Sequence, residues 1–178
     1  TCALPILVIN VSSPNTPGLR SLQSTQQLRQ IAQAVITSAR KSANREVPVL
    51  VKLAPDLEDA QLIELADLVK EVGLAGVIAT NTTINHDFGE GGLSGAPLKE
   101  RALQVVRLLR AQIGEDYLII GCGGIEDVAS AREFLDAGAD LLEAFTAMIY
   151  QGPSFAGRIN KQLSADLPAL PLRRAGKA

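Results

Sequence analysis

Residues 47–80 run VPVLVKLAPDLEDAQLIELADLVKEVGLAGVIAT, and the architecture follows from how they are parsed. Val47 to Ala54 is a β-branched apolar run stopped by Pro55, which has no N–H to give a strand. Leu62, Leu65, Ala66, Val69 and Val72 then recur every three or four residues, the face of one helix, and Gly73 closes it. Gly76 to Thr80 is another apolar run. Strand, one-faced helix and strand in that order form a crossover unit, and apolar strands of this kind predict a parallel sheet covered by helices.

The alternation extends in both directions. Upstream, Ile6 to Val11 is an apolar run that ends in the turn formers Ser12-Ser13-Pro14-Asn15-Thr16-Pro17-Gly18. Leu28, Ile31, Ala32, Val35, Ile36 and Ala39 then mark an amphipathic helix. Downstream, Ile84 to Ala96 is a glycine- and acid-rich loop, and Pro97 opens a helix whose face is Leu98, Ala102, Val106, Leu109 and Ile113. Tyr117 to Ile120 reads as a strand ending in Gly121-Cys122-Gly123-Gly124, and Val128 to Ala137 as a short helix stopped by Gly138. Leu141 to Thr146 reads as a fifth strand, and a last helix runs from Ser154 to Leu167. Residues 1–167 thus form one α/β unit, and 168–178, with turn formers and basic residues but no period, a flexible tail. Two architectures accommodate five βα units: an open doubly wound sheet, or part of an eight-stranded barrel. A whole barrel needs ~250 residues, so a 178-residue chain is short by about three units.

Seventeen Lys and Arg against 19 Asp and Glu leave a net charge of −2, with no basic stripe to displace counterions from a nucleic acid. No apolar run approaches the ~20 residues that span a bilayer, and no signal peptide is expected from the opening residues. Cys2 and Cys122 lie far apart without a framework pattern, which fits a reducing interior, and no Cys/His spacing suits zinc. The only methionine is Met148, and the chain opens straight into an apolar run, as a polypeptide cut upstream of a strand would.

In both architectures chemistry gathers at the carboxyl ends of the strands. Gly121-x-Gly123-Gly124 there is either a tight turn or an anion site whose backbone N–H groups approach a ligand closely; Phe145-Thr146-Ala147 adds a hydroxyl. Glu126 stands where a dinucleotide fingerprint needs its third glycine. Lys52, in an otherwise apolar strand, either stabilises negative charge on a ligand or reaches solvent at the strand's end. Asn10, Asn15 and Asn81, with Ser12, Ser13, Thr16, Thr80, Thr82 and Thr83, either serve turns or read a planar heterocycle. His86 reads as a surface residue, Cys122 as a small space-filler, and Glu100, Arg101, Arg107 and Arg110 as solvated helix faces.

Taken together, Asn10-Val11-Ser12-Ser13-Pro14-Asn15-Thr16 with Gly18-Leu19-Arg20, and Val51-Lys52-Leu53-Ala54-Pro55-Asp56, resemble dihydroorotate dehydrogenase. So do Thr80-Asn81-Thr82-Thr83, Gly91-Gly92-Leu93-Ser94-Gly95-x-Pro97-Leu98 and Gly121-x-Gly123-Gly124-Ile125. The likeness reaches to about Leu163, and its specificity lies in the order and spacing of the motifs. It implies the C-terminal five βα units of a TIM (β/α)8 barrel, incomplete in this chain, that holds FMN and oxidises dihydroorotate to orotate in pyrimidine synthesis. Ser13 occupies the place of the catalytic base, as in the quinone-linked class 2, which sits peripherally on the cytoplasmic side of the inner membrane; class 1 has cysteine there. Free serine is a weak base, so activation by water or by neighbours such as Thr16 is expected.

The resemblance assigns Asn10, Lys52, Thr80, Ser94, Gly95, Gly123, Gly124, Phe145 and Thr146 to FMN, with Gly123, Gly124 and Thr146 at its phosphate. It assigns Asn10, Asn15, Thr16, Asn81 and Thr82 to the substrate ring, and residues 84–96 to a loop shielding the site. Cys122 stands in place of valine, and Glu143-Ala144-Phe145 where glutamine, a small or apolar residue and tyrosine are expected; an inward Glu143 would repel the FMN phosphate. The family's first flavin loop, its Asn-Arg-x-Gly-Phe-Asn-Asn motif and its membrane helices are not in this sequence. The alternative is a non-catalytic partial barrel that binds phosphate compounds weakly or self-associates through open strand edges. A third option is an FMN or phosphate barrel with another substrate.

Overall fold

The computed structural model describes residues 6–43 and 46–166; Cys2 and the 168–178 tail lie outside them. Five strands, β1 (Leu7–Asn10), β2 (Val49–Leu53), β3 (Gly76–Ala79), β4 (Leu118–Cys122) and β5 (Leu141–Glu143), alternate with helices. The helices are α1 (Thr25–Ser42), α2 (Asp59–Val72), α3 (Lys99–Ile113), α4 (Val128–Asp136), α5 (Thr146–Gln151) and α6 (Phe155–Asp166). All strand pairs are parallel, and the order in the sheet is the order in the chain, β1-β2-β3-β4-β5. A doubly wound sheet reverses its strand order at a switch point. Here no reversal occurs, so the sheet is an arc of a (β/α)8 barrel.

The two faces of the arc are unequal. Outward residues of every strand, among them Val51, Leu53, Val77, Ala79 and Ile119, join the apolar faces of α1–α4 and α6 in one large core. The inner face holds only a small cluster, Leu50, Ile78 and Ile120, with Cys122 packed against it. Ile6, Leu7 and Val8 at one edge, and Leu141, Phe145, Met148, Ile149 and Tyr150 at the other, are exposed.

Local sequence explains most boundaries. Gly73 caps α2 at φ 75°, a conformation that costs glycine little. Asp127 caps α4 by accepting from the Ser130 N–H at 2.8 Å. Three expectations fail. β4 does not stop at Ile120 but runs through Gly121 and Cys122, and Gly121 is required because the Phe134 ring lies 2.7 Å from where a Cβ would stand. β5 ends at Glu143 rather than Thr146, because Thr146 begins α5, a short helix that no apolar period announces. Arg101 and Arg110 are not simply solvated. Arg101 donates to the Pro55 and Leu57 carbonyls at 3.0 and 2.7 Å. Arg110, 10% exposed, pairs with Asp140 at 2.5 Å and donates to the Gly138 and Tyr117 carbonyls at 2.9 and 3.0 Å.

Candidate functional site

Parallel strands in register bring their carboxyl ends to one rim, where polar residues collect from three of them. Asn10, ending β1, accepts on Oδ1 from the Ser12 N–H and hydroxyl at 3.3 and 3.2 Å. Asn81, just beyond β3, donates from Nδ2 to Asn10 Oδ1 at 3.3 Å and to Ser12 Oγ at 2.9 Å, while its Oδ1 accepts the Thr82 N–H at 2.8 Å. Ser12 and Thr80 are buried, and the Thr80 hydroxyl donates to the Asn81 carbonyl at 2.9 Å. Ser13 lies at the mouth of this network, its Oγ accepting the Asn15 N–H at 3.3 Å. Asn15 and Thr16 stand on the exposed side of the same turn.

Lys52 does not reach solvent alone. Its register partners are Asn10 and Ile78, so it points into the concave face, and its Nζ meets Glu143 Oε2 at 3.1 Å. β2 and β5 are three strand spacings apart, about 14 Å in a flat sheet, more than the two side chains can bridge. The ion pair therefore requires the arc's curvature. Glu143 faces inward, as its pairing with Cys122 also dictates. Cys122 sits beside the pair, and burial pushes its thiol pKa up; Glu143 adds to that shift and Lys52 opposes it.

A second group forms where the β3–α3 loop meets the ends of β4 and β5. The Ser94 and Thr146 hydroxyls are 2.7 Å apart, and the Thr146 methyl lies 3.1 Å from where a Cβ on Gly95 would stand. Gly123 and Gly124, at φ 121° and 81°, follow β4 directly. A Cβ on Gly124 would stand 2.6 Å from Lys99 Cβ and 2.9 Å from the Gly95 carbonyl oxygen, so glycine lets these backbones close together. Phe145 is 67% exposed at the rim. The two groups suit an elongated ligand: amides and an ammonium for a polar ring, small residues and hydroxyls for a phosphate. FMN has that chemistry, with Glu143 the discordant charge.

The 84–95 loop lies over the first group. It is pinned at its base where Thr83 and Leu93 exchange backbone hydrogen bonds at 3.0 and 2.8 Å. A Cβ on Gly92 would fall 2.0 Å from Thr82 Oγ1 and 2.8 Å from Pro14 Cγ, so the loop rests against the Ser13 turn. His86 is spent inside the loop, with Nε2 3.1 Å from the Gly91 carbonyl and Nδ1 accepting the Phe88 N–H at 3.2 Å.

Arg20 and Asp56 form an ion pair at 2.7 Å among the strand-end loops; their only mark in the sequence is a charged residue in each of two otherwise apolar or turn-forming segments. Gln23, buried and without a motif of its own, holds the end of β2 by accepting the Ala54 N–H at 3.0 Å.

The family model for dihydroorotate dehydrogenase matches residues 3–167. The chain is 49% identical over 173 residues to a dihydroorotate dehydrogenase (quinone) of Arthrobacter sp. (strain FB24), covering 91% of this chain and 48% of that protein. It is likewise 49% identical over 170 residues to the Kocuria rhizophila protein of the same name, covering 88% and 47%. Among solved structures, ligand-free DHODH from Eimeria tenella superposes with a TM-score of 0.85 at 36% identity, covering 96% of this chain and 54% of that one. The same enzyme in complex with ferulenol gives 0.84 at 37% identity, covering 89% and 48%. The chain spans about half the length of these relatives, and it belongs to the dihydroorotate dehydrogenase family.

Proposed function

We propose that this member of the family is the C-terminal part of an FMN-dependent dihydroorotate dehydrogenase that passes electrons to a quinone in pyrimidine synthesis. One observation carries the reading: β1 and β3 bring Ser13 and the Asn10–Ser12–Asn81 network to the same rim, above the inward-facing Lys52. In the proposed reaction Ser13 Oγ accepts the C5 proton of dihydroorotate while its own hydroxyl proton passes to water, as the C5=C6 bond of orotate forms. FMN, when bound, supplies the acceptor for the hydride that leaves C6. The Asn15 N–H donating to Ser13 Oγ favours the deprotonated hydroxyl, a backbone form of the activation a weak base needs. Thr16 is assigned to the same task from within the turn.

Asn10, Asn15, Asn81 and Thr82 offer amide and hydroxyl groups that match ring N–H and C=O groups without adding charge. Thr80 orders the strand end from beneath. Lys52 would stabilise negative charge on a bound flavin ring. Ser94, Gly95, Gly123, Gly124 and Thr146 would hold the phosphate, and Phe145 would cover its rim. The 84–95 loop excludes water from the proton transfer. A quinone as final acceptor and a peripheral place on the cytoplasmic face of the inner membrane complete the proposal. No helix among the described residues is long and apolar enough to cross a membrane.

The decisive experiment is Ser13→Ala in the protein that carries this chain. FMN should stay bound while single-turnover flavin reduction by dihydroorotate falls by about 10²–10⁴-fold, the usual scale for losing a general base. Unchanged reduction would sink the assignment.

A second reading rests on the exposed edges. Expressed alone, the 178-residue chain presents the β1 and β5 edges with Ile6, Leu7, Val8 and Leu141 exposed, a surface that favours self-association. Gel filtration of that chain tests it: a monodisperse monomer would exclude association through these edges.

A further inference from the structure

We propose that Arg20 and Asp56 are a positioning pair coupling the 84–95 loop to the Ser13 turn, so that one ion pair sets both the loop's closed position and the presentation of the base. The inference deepens the reading above and rests on Ser13 as the base.

The Arg20 guanidinium uses three separate N–H groups on three separate loops. Nε donates to the Ser12 carbonyl at 3.0 Å, Nη1 to Asp56 Oδ2 at 2.7 Å and Nη2 to the Thr82 carbonyl at 2.8 Å. These acceptors follow β1, β2 and β3 respectively. The Ser12 carbonyl shares a planar peptide unit with the Ser13 nitrogen, so fixing it restricts the plane from which Ser13 projects. The Thr82 carbonyl adjoins the amide network assigned to the substrate ring.

Asp56 carries the connection onward. Its carboxylate accepts the Ile84 N–H at 3.2 Å and the Thr83 hydroxyl. Thr83 is half of the Thr83–Leu93 bridge that closes the base of the loop. The contacts therefore run unbroken from Ser12 through Arg20 and Asp56 to Thr83, Ile84 and the loop. Both partners have side chains only 20% exposed, which limits competition from water. Only a guanidinium can serve this arrangement, because its fork of donors is rigid and planar whereas lysine presents one compact charge. Neither residue touches Ser13 Oγ, so the pair acts through the backbone.

The test uses Arg20→Ala, Arg20→Lys, Asp56→Ala and the double Ala variant of the protein that carries this chain. Readouts are FMN occupancy, single-turnover flavin reduction by dihydroorotate, and limited proteolysis of the 84–92 segment with and without orotate. Arg20→Ala should keep FMN and be cut in the loop at least about tenfold faster, with weaker protection by orotate. Its flavin reduction should fall on the order of 100-fold, as for ångström-scale misplacement of a reacting group. Arg20→Lys should restore little of either, and the double variant should be no worse than the more damaged single one, as expected for one coupled unit. Loop cleavage within twofold of the parent overturns the proposal, as does faster cleavage with unchanged reduction. If Arg20→Ala fails to fold, Arg20→Lys decides by the same criteria. A Ser13→Ala control separates the two claims. Normal reduction in that control removes the base assignment, and loop cleavage with orotate protection then decides the coupling by itself.

Discussion

Replacing Glu143 by Gln should tighten FMN binding. Lys52 Nζ lies 3.1 Å from Glu143 Oε2, with side chains 21% and 41% exposed. At that separation the attraction is about 5 kcal/mol with an effective dielectric of 20 and about 1 kcal/mol in water. With the carboxylate more than a third exposed, the lower figure governs, and the pair is worth about 1 kcal/mol. An FMN phosphate held beside Thr146 would meet the repulsion of the Glu143 carboxylate, and the ring would have to share the Lys52 ammonium with it. Gln keeps the shape and an acceptor for Lys52 while removing the charge. Relief of about 1 kcal/mol corresponds to roughly fivefold tighter binding. Fluorescence-quenching titration with FMN, repeated at raised salt, measures this, and salt should narrow the difference between the two proteins. The substitution also removes a cause that raises the Cys122 thiol, whose burial remains. Alkylation of Cys122 should therefore set in at lower pH in the variant. FMN affinity unchanged or weakened in Glu143→Gln would refute the reasoning.

Three further outcomes follow from the structure. Gly92→Ala places a methyl 2.0 Å from Thr82 Oγ1 and forces the loop off the Ser13 turn; KM for dihydroorotate should rise about tenfold while the melting temperature moves little. Asp140→Ala strips the partner from the nearly buried Arg110 and should cost about 3–5 kcal/mol in urea unfolding. Asp127→Ala removes the α4 cap and should cost about 1 kcal/mol at pH 7. The Ser130 hydroxyl, then the Ser130 N–H, hold the Asp127 carboxyl pKa below its ordinary value. Its contribution is thus complete above the unfolded-state value of about 4 and is lost as pH falls through the lower folded value. The difference between parent and variant should shrink as pH falls below about 4.

Much of this was legible in the chain itself. Residues 47–80 gave strand, helix and strand from apolar spacing alone, because burying one helix face against a doubly covered strand leaves a pattern of adjacent letters. The motifs around Ser13, Lys52, Asn81 and Gly123 announced a strand-end site, since parallel strands place their carboxyl ends together whatever their separation in sequence. Other features had no such local mark. The sequence left open whether Glu143 faces inward, and its attachment to Lys52 depends on the curl that brings β5 toward β2. Arg110 carries the periodicity of an exposed helix position, and only the approach of the Gly138 turn and Asp140 buries it. The joining of Arg20 to Asp56 spans 36 residues and touches three loops, and the end of β5 is set by where α5 begins. Sequence determined what repeats along the chain: the βα period and the chemistry at each strand's end. Tertiary structure decided which charges meet, because side-chain pairing depends on distances across the sheet that no spacing along the chain encodes.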